Sequence, residues 1–145
     1  MNYIGSKFSL LDFLRASISA ATGYKESDSY VFADLFAGTG VVGAAYKAGG
    51  CKVIANDIQY YSYILNKHYI ENVPPIDTAL LEYLNNLPGI EGFIFNNYCE
   101  GSGSGRNYFT DINGKKCDAV RTELEKLHQN GEIDNAVYYY FLASL

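Results

Sequence analysis

The chain has 145 residues, of which 48% are hydrophobic and 19% charged, and its formal net charge at pH 7 is −5. Length and composition are typical of a globular domain, and no apolar stretch approaches the roughly 18 residues that a membrane span requires. The start of the chain lacks an export signal, and the three cysteines lack metal-binding spacing. We therefore expect a cytoplasmic protein with no metal and no membrane partner.

The first predicted element is a helix that Ser6 or Ser9 can cap and that ends at Gly23. Its apolar residues recur at helical spacing: Leu10, Leu11, Leu14 and Ile18. A polar connection then leads to an apolar run at 30–33, which predicts a buried strand because aromatic and β-branched residues crowd together there.

A glycine-rich turn follows this strand, with the spacing Gly38-x-Gly40-x-x-Gly43. The next residues, 41–48, are small and apolar and predict a helix that ends at Gly49. The glycines therefore lie on a strand-to-helix turn, where the backbone can approach a ligand and free helix N–H groups point at it. A second apolar run, 52–55, ends at Asn56-Asp57, where an acid that binds ribose hydroxyls is expected.

This order predicts one βαβ unit that binds a nucleotide. Asp34 stands four residues before Gly38, and a carboxylate there disfavours a pyrophosphate but suits a cationic ligand. S-adenosylmethionine carries both a sulfonium and an ammonium group. Two alternatives stay open: an NAD-type module, and glycines that serve only helix–strand packing, with Asp57 capping the next helix.

Three segments together resemble the N6-adenine DNA methyltransferases of restriction–modification systems, and more narrowly the D12 class: residues 3–8 (Tyr-Ile-Gly-Ser-Lys-Phe), residues 34–40 (Asp-Leu-Phe-Ala-Gly-Thr-Gly) and residues 55–58 (Ala-Asn-Asp-Ile). The resemblance implies an α/β fold of the Rossmann-like, S-adenosylmethionine-dependent type. This fold would be incomplete in the chain, with helices and loops after the second strand. By resemblance the cofactor site comprises Tyr3, Ile4, Gly5, Ser6, Lys7, Asp34, Phe36, Ala37, Gly38, Thr39, Gly40, Asp57 and Ile58.

Helices and loops are predicted beyond the βαβ unit. The helix at 58–71 carries four tyrosines, which could stack on bases but are more typical of a core or an interface. Asp77 can cap the following helix. A helix is also predicted at 133–145, and its apolar run at 138–143 would be an exposed liability unless something covers it. We therefore expect the chain to be the front portion of a longer protein.

A glycine–serine loop at 101–105 leads into a segment with DNA-contact candidates. Four positive charges stand against two negative ones between Ser102 and Arg121, a modest basic patch. Glycines, an arginine and aromatics suit a nucleic-acid-contacting loop, while a plain surface connection is equally consistent. A tight turn is predicted at Asn113-Gly114, with a helix from Asp118 to Gln129. The candidates are Arg106, Asn107, Tyr108, Lys115 and Lys116.

The resemblance also implies a division of roles. Residues 1–58 would bind the cofactor, residues 59–145 would begin a DNA target-recognition region, and the catalytic part would lie beyond residue 145. The family's Asp-Pro-Pro-Tyr tetrapeptide, or its Asn or Ser variant, is absent, and the only proline pair lies between Val73 and Ile76.

No catalytic residue is therefore predicted. We expect a cofactor-binding chain that is inactive alone, with double-stranded DNA as the partner of the full-length protein and a C-terminal fragment or second chain as a further partner. A non-catalytic regulatory subunit is the remaining alternative.

Overall fold

The computed structural model describes residues 7–25, 28–71 and 77–145. The chain forms two compact units, residues 1–73 and 74–145, which we describe separately. In the described part, no helix is long and apolar enough to cross a membrane. The predicted division of roles after residue 58 stays a prediction.

The first unit contains the predicted βαβ arrangement. Helix α1 (Leu11–Thr22) follows a 3-10 turn at Phe8–Leu10, and strand β1 (Val31–Asp34) leads through the glycine turn into helix α2 (Val41–Ala48). Strand β2 (Lys52–Ala55) runs parallel to β1, with Asp34 opposite Ala55. Helix α3 (Tyr60–Asn66) continues into a π-helical turn, Lys67–Glu71. The chain is thus a mixed α/β protein with a small parallel sheet, while its Rossmann-like character stays a prediction.

One face of this sheet is covered and the other is exposed. On the covered face, the Phe32 ring stacks on the Tyr46 ring with centroids 3.9 Å apart, in a cluster with Val42 and Cys51. On the opposite face, Val31 and Ile54 are 58% and 53% exposed. Parallel sheets are normally buried on both faces, so this exposed face is unusual.

The tyrosines of α3 and the π-helical turn do not form a core. All four have exposed side chains, between 43% for Tyr61 and Tyr63 and 65% for Tyr60. The core interpretation of this stripe is therefore wrong for this chain, because the helix packs through other residues, among them Ser62 and Asn66, which are buried.

The second unit is helical. It consists of α4 (Thr78–Asn86), α5 (Phe93–Tyr98), α6 (Asp111–Gln129) and α7 (Asn135–Leu142). Asp77 caps α4 as predicted, by accepting the Leu80 N–H at 2.9 Å. The expectation of an exposed apolar run in the last helix is wrong, because Tyr138 and Phe141 are buried in a cluster with Leu84, Val120 and Leu124.

Helix α6 begins seven residues earlier than predicted. Thr110 caps it, accepting the Asn113 N–H at 3.4 Å, and Gly114 lies inside the helix rather than in a turn. A Cβ atom on Gly114 would stand 2.0 Å from the Cys99 Sγ atom. The glycine is present because α6 packs closely there, and this tertiary contact overrides the local turn tendency of Asn-Gly.

Asp118, predicted to begin α6, instead caps a different helix. Its buried carboxylate accepts the N–H groups of Gly92 (3.1 Å), Ile94 (2.9 Å) and Phe95 (2.8 Å) at the start of α5. These are the donors that have no partner within a helix, so one carboxylate satisfies three of them and fixes α5 on α6.

Replacing Asp118 with alanine should destabilise the protein by about 3 kcal/mol, because three backbone donors, one buried and two part-buried, lose a charged acceptor. Asp77→Ala is the matched control: it removes one exposed cap and should cost about 1 kcal/mol. Urea denaturation followed by far-ultraviolet circular dichroism measures both. Equal losses for the two variants would contradict the buried three-donor cap.

Candidate functional site

The ends of the two strands are joined by backbone hydrogen bonds around the glycine turn. The Ala37 N–H donates to the Asn56 carbonyl at 2.9 Å, and the Asn56 N–H donates to the Asp34 carbonyl at 2.8 Å. Gly38 and Gly40 have φ values of +55° and +77°, which side chains disfavour. The turn therefore lies against the residues that follow β2, as the βαβ prediction requires.

Asp57 binds the backbone of this turn. Its Oδ2 accepts the Gly38 N–H at 2.8 Å, and its Oδ1 accepts the Gln59 N–H at 3.0 Å. These two bonds hold the pKa of the Asp57 carboxyl below its ordinary value of 3.8, and the bond from Gln59 contributes more than the bond from Gly38. The group is therefore ionised at neutral pH, and each oxygen keeps acceptor capacity for a ligand.

Asp34 and Lys7 form an ion pair beside the turn. The Lys7 Nζ atom lies 3.6 Å from the Asp34 Oδ1 atom and donates to the Phe36 carbonyl. Asp34 is only 9% exposed, and its Oδ2 has no hydrogen-bond partner among the described residues. Such a buried, unpaired carboxylate oxygen is costly, so it has acceptor capacity for a donor from outside the described residues.

Asn66 is a turn contact that sequence reasoning missed. Its Nδ2 donates to the Gly38 carbonyl at 3.1 Å and to the Ser62 carbonyl at 2.7 Å. The only signal in the sequence was an asparagine inside a predicted helix, where its helix propensity is poor.

The other predicted cofactor residues divide into buried and exposed ones. Ala37 is buried and Thr39 half-buried, whereas Phe36 and Ile58 are 80% and 95% exposed. Beside Asp57 lies a cavity of about 490 Å³, whose lining includes Ile54, Asn56, Asp57, Tyr63 and Asn66. Four predicted residues fall outside the described part of the chain: Tyr3, Ile4, Gly5 and Ser6.

The DNA-contact candidates lie in the second unit and differ in how they are held. The Arg106 guanidinium lies 5.4 Å from the centre of the Tyr98 ring, and Tyr108 is 75% exposed. A hydrogen bond connects the preceding glycine–serine loop to α5: the Ser104 hydroxyl donates to the Asn97 carbonyl at 3.2 Å. The segment 106–108 is thus an exposed aromatic and cationic surface.

The two lysine candidates already bind groups of their own unit. The Lys115 Nζ atom lies 2.6 Å from the Glu91 carboxylate, and Lys116 donates to the Asn85 carbonyl at 2.9 Å and to the Leu87 carbonyl. Residues 74–145 contain five lysines and arginines against ten aspartates and glutamates, which accounts for the whole net charge of −5. The structure therefore does not extend the segment 106–108 into a broad basic face.

Within the described ranges, no group of three or more His, Cys, Asp or Glu side chains is placed to hold a metal ion.

Comparison with family models shows to which family the chain belongs. The model for the D12 class N6 adenine-specific DNA methyltransferases matches residues 3–145. The chain belongs to this family. As in the predicted resemblance, the match includes the glycine turn, Asp34 and Asp57, and it also covers the helical second unit.

Curated proteins named as methyltransferases or methylases align with the whole chain. Type II methyltransferase M.NlaIII of Neisseria lactamica is 52% identical over 147 residues, modification methylase LlaI of Lactococcus lactis subsp. lactis 36% over 157, and type II methyltransferase M.FokI of Planomicrobium okeanokoites 36% over 157. The alignments cover 44%, 24% and 24% of these proteins. The chain thus spans less than half the length of these relatives. No solved structure matches the chain significantly.

The bond between Asp57 and Gly38 predicts a pH dependence. Because the folded-state pKa of Asp57 is lowered, its contribution to stability is present above about pH 3.8 and is lost as the pH falls through the folded-state pKa. In an NMR titration the Gly38 amide should shift with a midpoint below 3.8. Asp57→Asn should abolish this titration, and a midpoint at or above 3.8 in the unmodified chain would contradict the bond.

Proposed function

We propose that this chain is the S-adenosylmethionine-binding part of a DNA adenine N6-methyltransferase. One observation carries the proposal: two carboxylates, Asp34 and Asp57, flank a glycine turn at the adjacent ends of two parallel strands. Family membership supports the same reaction class. An NAD-type module is disfavoured because a pyrophosphate would meet the Asp34 carboxylate.

The residues of the turn fit the chemistry of this cofactor. Lys7 and Asp34 offer one positive and one negative group together, which matches the carboxylate and ammonium of a methionine moiety. The spare acceptor capacity of Asp57 suits ribose hydroxyls, and the exposed Ile58 side chain suits an adenine ring. S-adenosylmethionine supplies the methyl group of the reaction when it is bound.

Isothermal titration calorimetry should show that the chain binds S-adenosylmethionine or S-adenosylhomocysteine but not NADH. Asp57→Ala should weaken this binding about tenfold or more, because charge-assisted hydrogen bonds to the ligand are lost. Binding of NADH alone would refute the proposal, and an unchanged affinity of Asp57→Ala would remove Asp57 from the site.

Asp34→Asn separates the two ends of the ligand. The variant keeps the shape of the side chain but loses its charge, so S-adenosylmethionine should lose more affinity than adenosine, which carries no ammonium. Equal losses for both ligands would mean that Asp34 supports the turn without contacting the cofactor.

The segment 106–108 is the part of the second unit best suited to contact DNA. Arg106 has a cationic head that no carboxylate of the described residues neutralises in an ion pair. The Tyr98 ring lies beside this head, and the Tyr108 ring lies 6.1 Å from the Tyr98 ring. Arginine and aromatic side chains bind phosphates and stack on bases. Lys115 and Lys116 contribute less, since their ammonium groups are engaged within the unit.

Adenine methylation needs two further groups. A hydrogen-bond acceptor must engage the exocyclic amino group, and a ring must hold the extruded base. The family places both in its Asp-Pro-Pro-Tyr tetrapeptide, which residues 1–145 do not contain. The chain by itself therefore binds the methyl donor without transferring the methyl group.

The isolated chain, residues 1–145, should transfer no tritiated methyl groups to DNA from a host that lacks adenine methylation. It should also bind DNA weakly, because its net charge is −5. A polypeptide with the tetrapeptide and the remaining strands of a D12 domain should restore incorporation. Helices of such a polypeptide would cover the exposed sheet face around Val31 and Ile54.

Incorporation by the isolated chain, free of host enzyme, would refute the predicted inactivity. In the complemented complex, Arg106→Ala should weaken DNA binding more than Lys115→Ala. Equal effects of these two variants would contradict the assignment of DNA contact to the segment 106–108.

A further inference from the structure

We propose that Asn66 is a positioning residue that holds the glycine turn in its ligand-binding shape. The inference rests on the proposed cofactor site, because its function is expressed through that turn. Asn66 lies at the end of α3, 28 residues after Gly38 in the sequence, and is only 8% exposed.

The side-chain amide of Asn66 joins two backbone segments. Its nitrogen donates to the Gly38 carbonyl and to the carbonyl of Ser62, one helical turn earlier in α3. Both partners are acceptors, so the amide nitrogen must face them and the side-chain oxygen must point away. The amide therefore ties α3 to the turn with a fixed orientation.

The oxygen of the same amide lies against Gly40. It is buried and has no hydrogen-bond partner among the described residues. A Cβ atom on Gly40 would stand 2.7 Å from it, closer than atoms tolerate. Asn66 thus occupies the space beside Gly40 and holds Gly38 by its carbonyl, while Asp57 holds Gly38 by its N–H group.

These contacts predict that Asn66 acts on the cofactor through the shape of the turn. Without the Asn66 donor, the Gly38 carbonyl loses a partner, and the backbone of the two glycines becomes freer to move because neither has a side chain. The amide protons of the turn should then exchange faster, and the cofactor should bind more weakly because it must order the turn itself.

The test compares Asn66→Ala and Asn66→Leu with Asn97→Ala. Leucine keeps the branched shape and the number of side-chain heavy atoms of asparagine but removes the donor. Asn97 makes the same bond to the carbonyl four residues earlier, in α5, away from the turn. Both Asn66 variants should raise hydrogen exchange at Gly38 and Gly40 and weaken S-adenosylmethionine binding about tenfold, whereas Asn97→Ala should change neither. An Asn66→Leu variant that matches the unmodified chain in both measurements overturns the inference.

A double-mutant cycle tests the contact with Gly40. Gly40→Ala should lower the melting temperature more in the unmodified chain than in Asn66→Ala, where the clashing oxygen is gone. Gly23→Ala is the control, since Gly23 has a similar φ of +75° and no atom within 4 Å of a Cβ, so its effect should be the same in both backgrounds. An additive cycle for Gly40 overturns the contact.

If the unmodified chain binds no S-adenosylmethionine, the proposed function fails, while hydrogen exchange and the cycle still decide the role of Asn66.

Discussion

Both backbone polar groups of Gly38, its N–H and its carbonyl, form hydrogen bonds with side chains, and the arrangement of the first unit depends on these bonds. The Asp57 carboxylate accepts its N–H group and the Asn66 amide donates to its carbonyl. One contact comes from the residue pair after β2 and the other from α3, so strand, turn and helix are fixed together. A flexible glycine turn becomes a defined surface only because neighbouring elements satisfy its peptide groups.

Polar side chains are buried beside the glycine turn at the end of the small sheet. Asp34 is buried with one oxygen unpaired, beside Lys7, and Asn66 is buried with its oxygen unpaired against Gly40. Unpaired buried polar atoms are rare and costly, and they cluster at functional sites. Two of those in the first unit, on Asp34 and Asn66, lie beside the glycine turn.

The second unit follows a different physical logic. It carries the whole negative excess of the chain, yet its lysines are bound to carboxylates or carbonyls of the unit. Arg106 and neighbouring aromatic rings form a local exposed surface beside α5, whose start Asp118 caps. Contact with DNA through this unit would depend on stacking and a few placed charges more than on a broad positive field.

The sequence by itself determined the βαβ order, the glycine turn, the acid after β2 and the family, because these depend on local spacing along the chain. It did not determine Asn66, the cap by Asp118 or the glycine inside α6, because each serves a partner many residues away. Asn113-Gly114 favours a turn locally, but close packing of Gly114 against Cys99 places these residues inside α6. The burial of Tyr138 and Phe141 was likewise decided by tertiary structure. An apolar run in a sequence indicates that the helix must be covered, but it does not indicate which residues cover it.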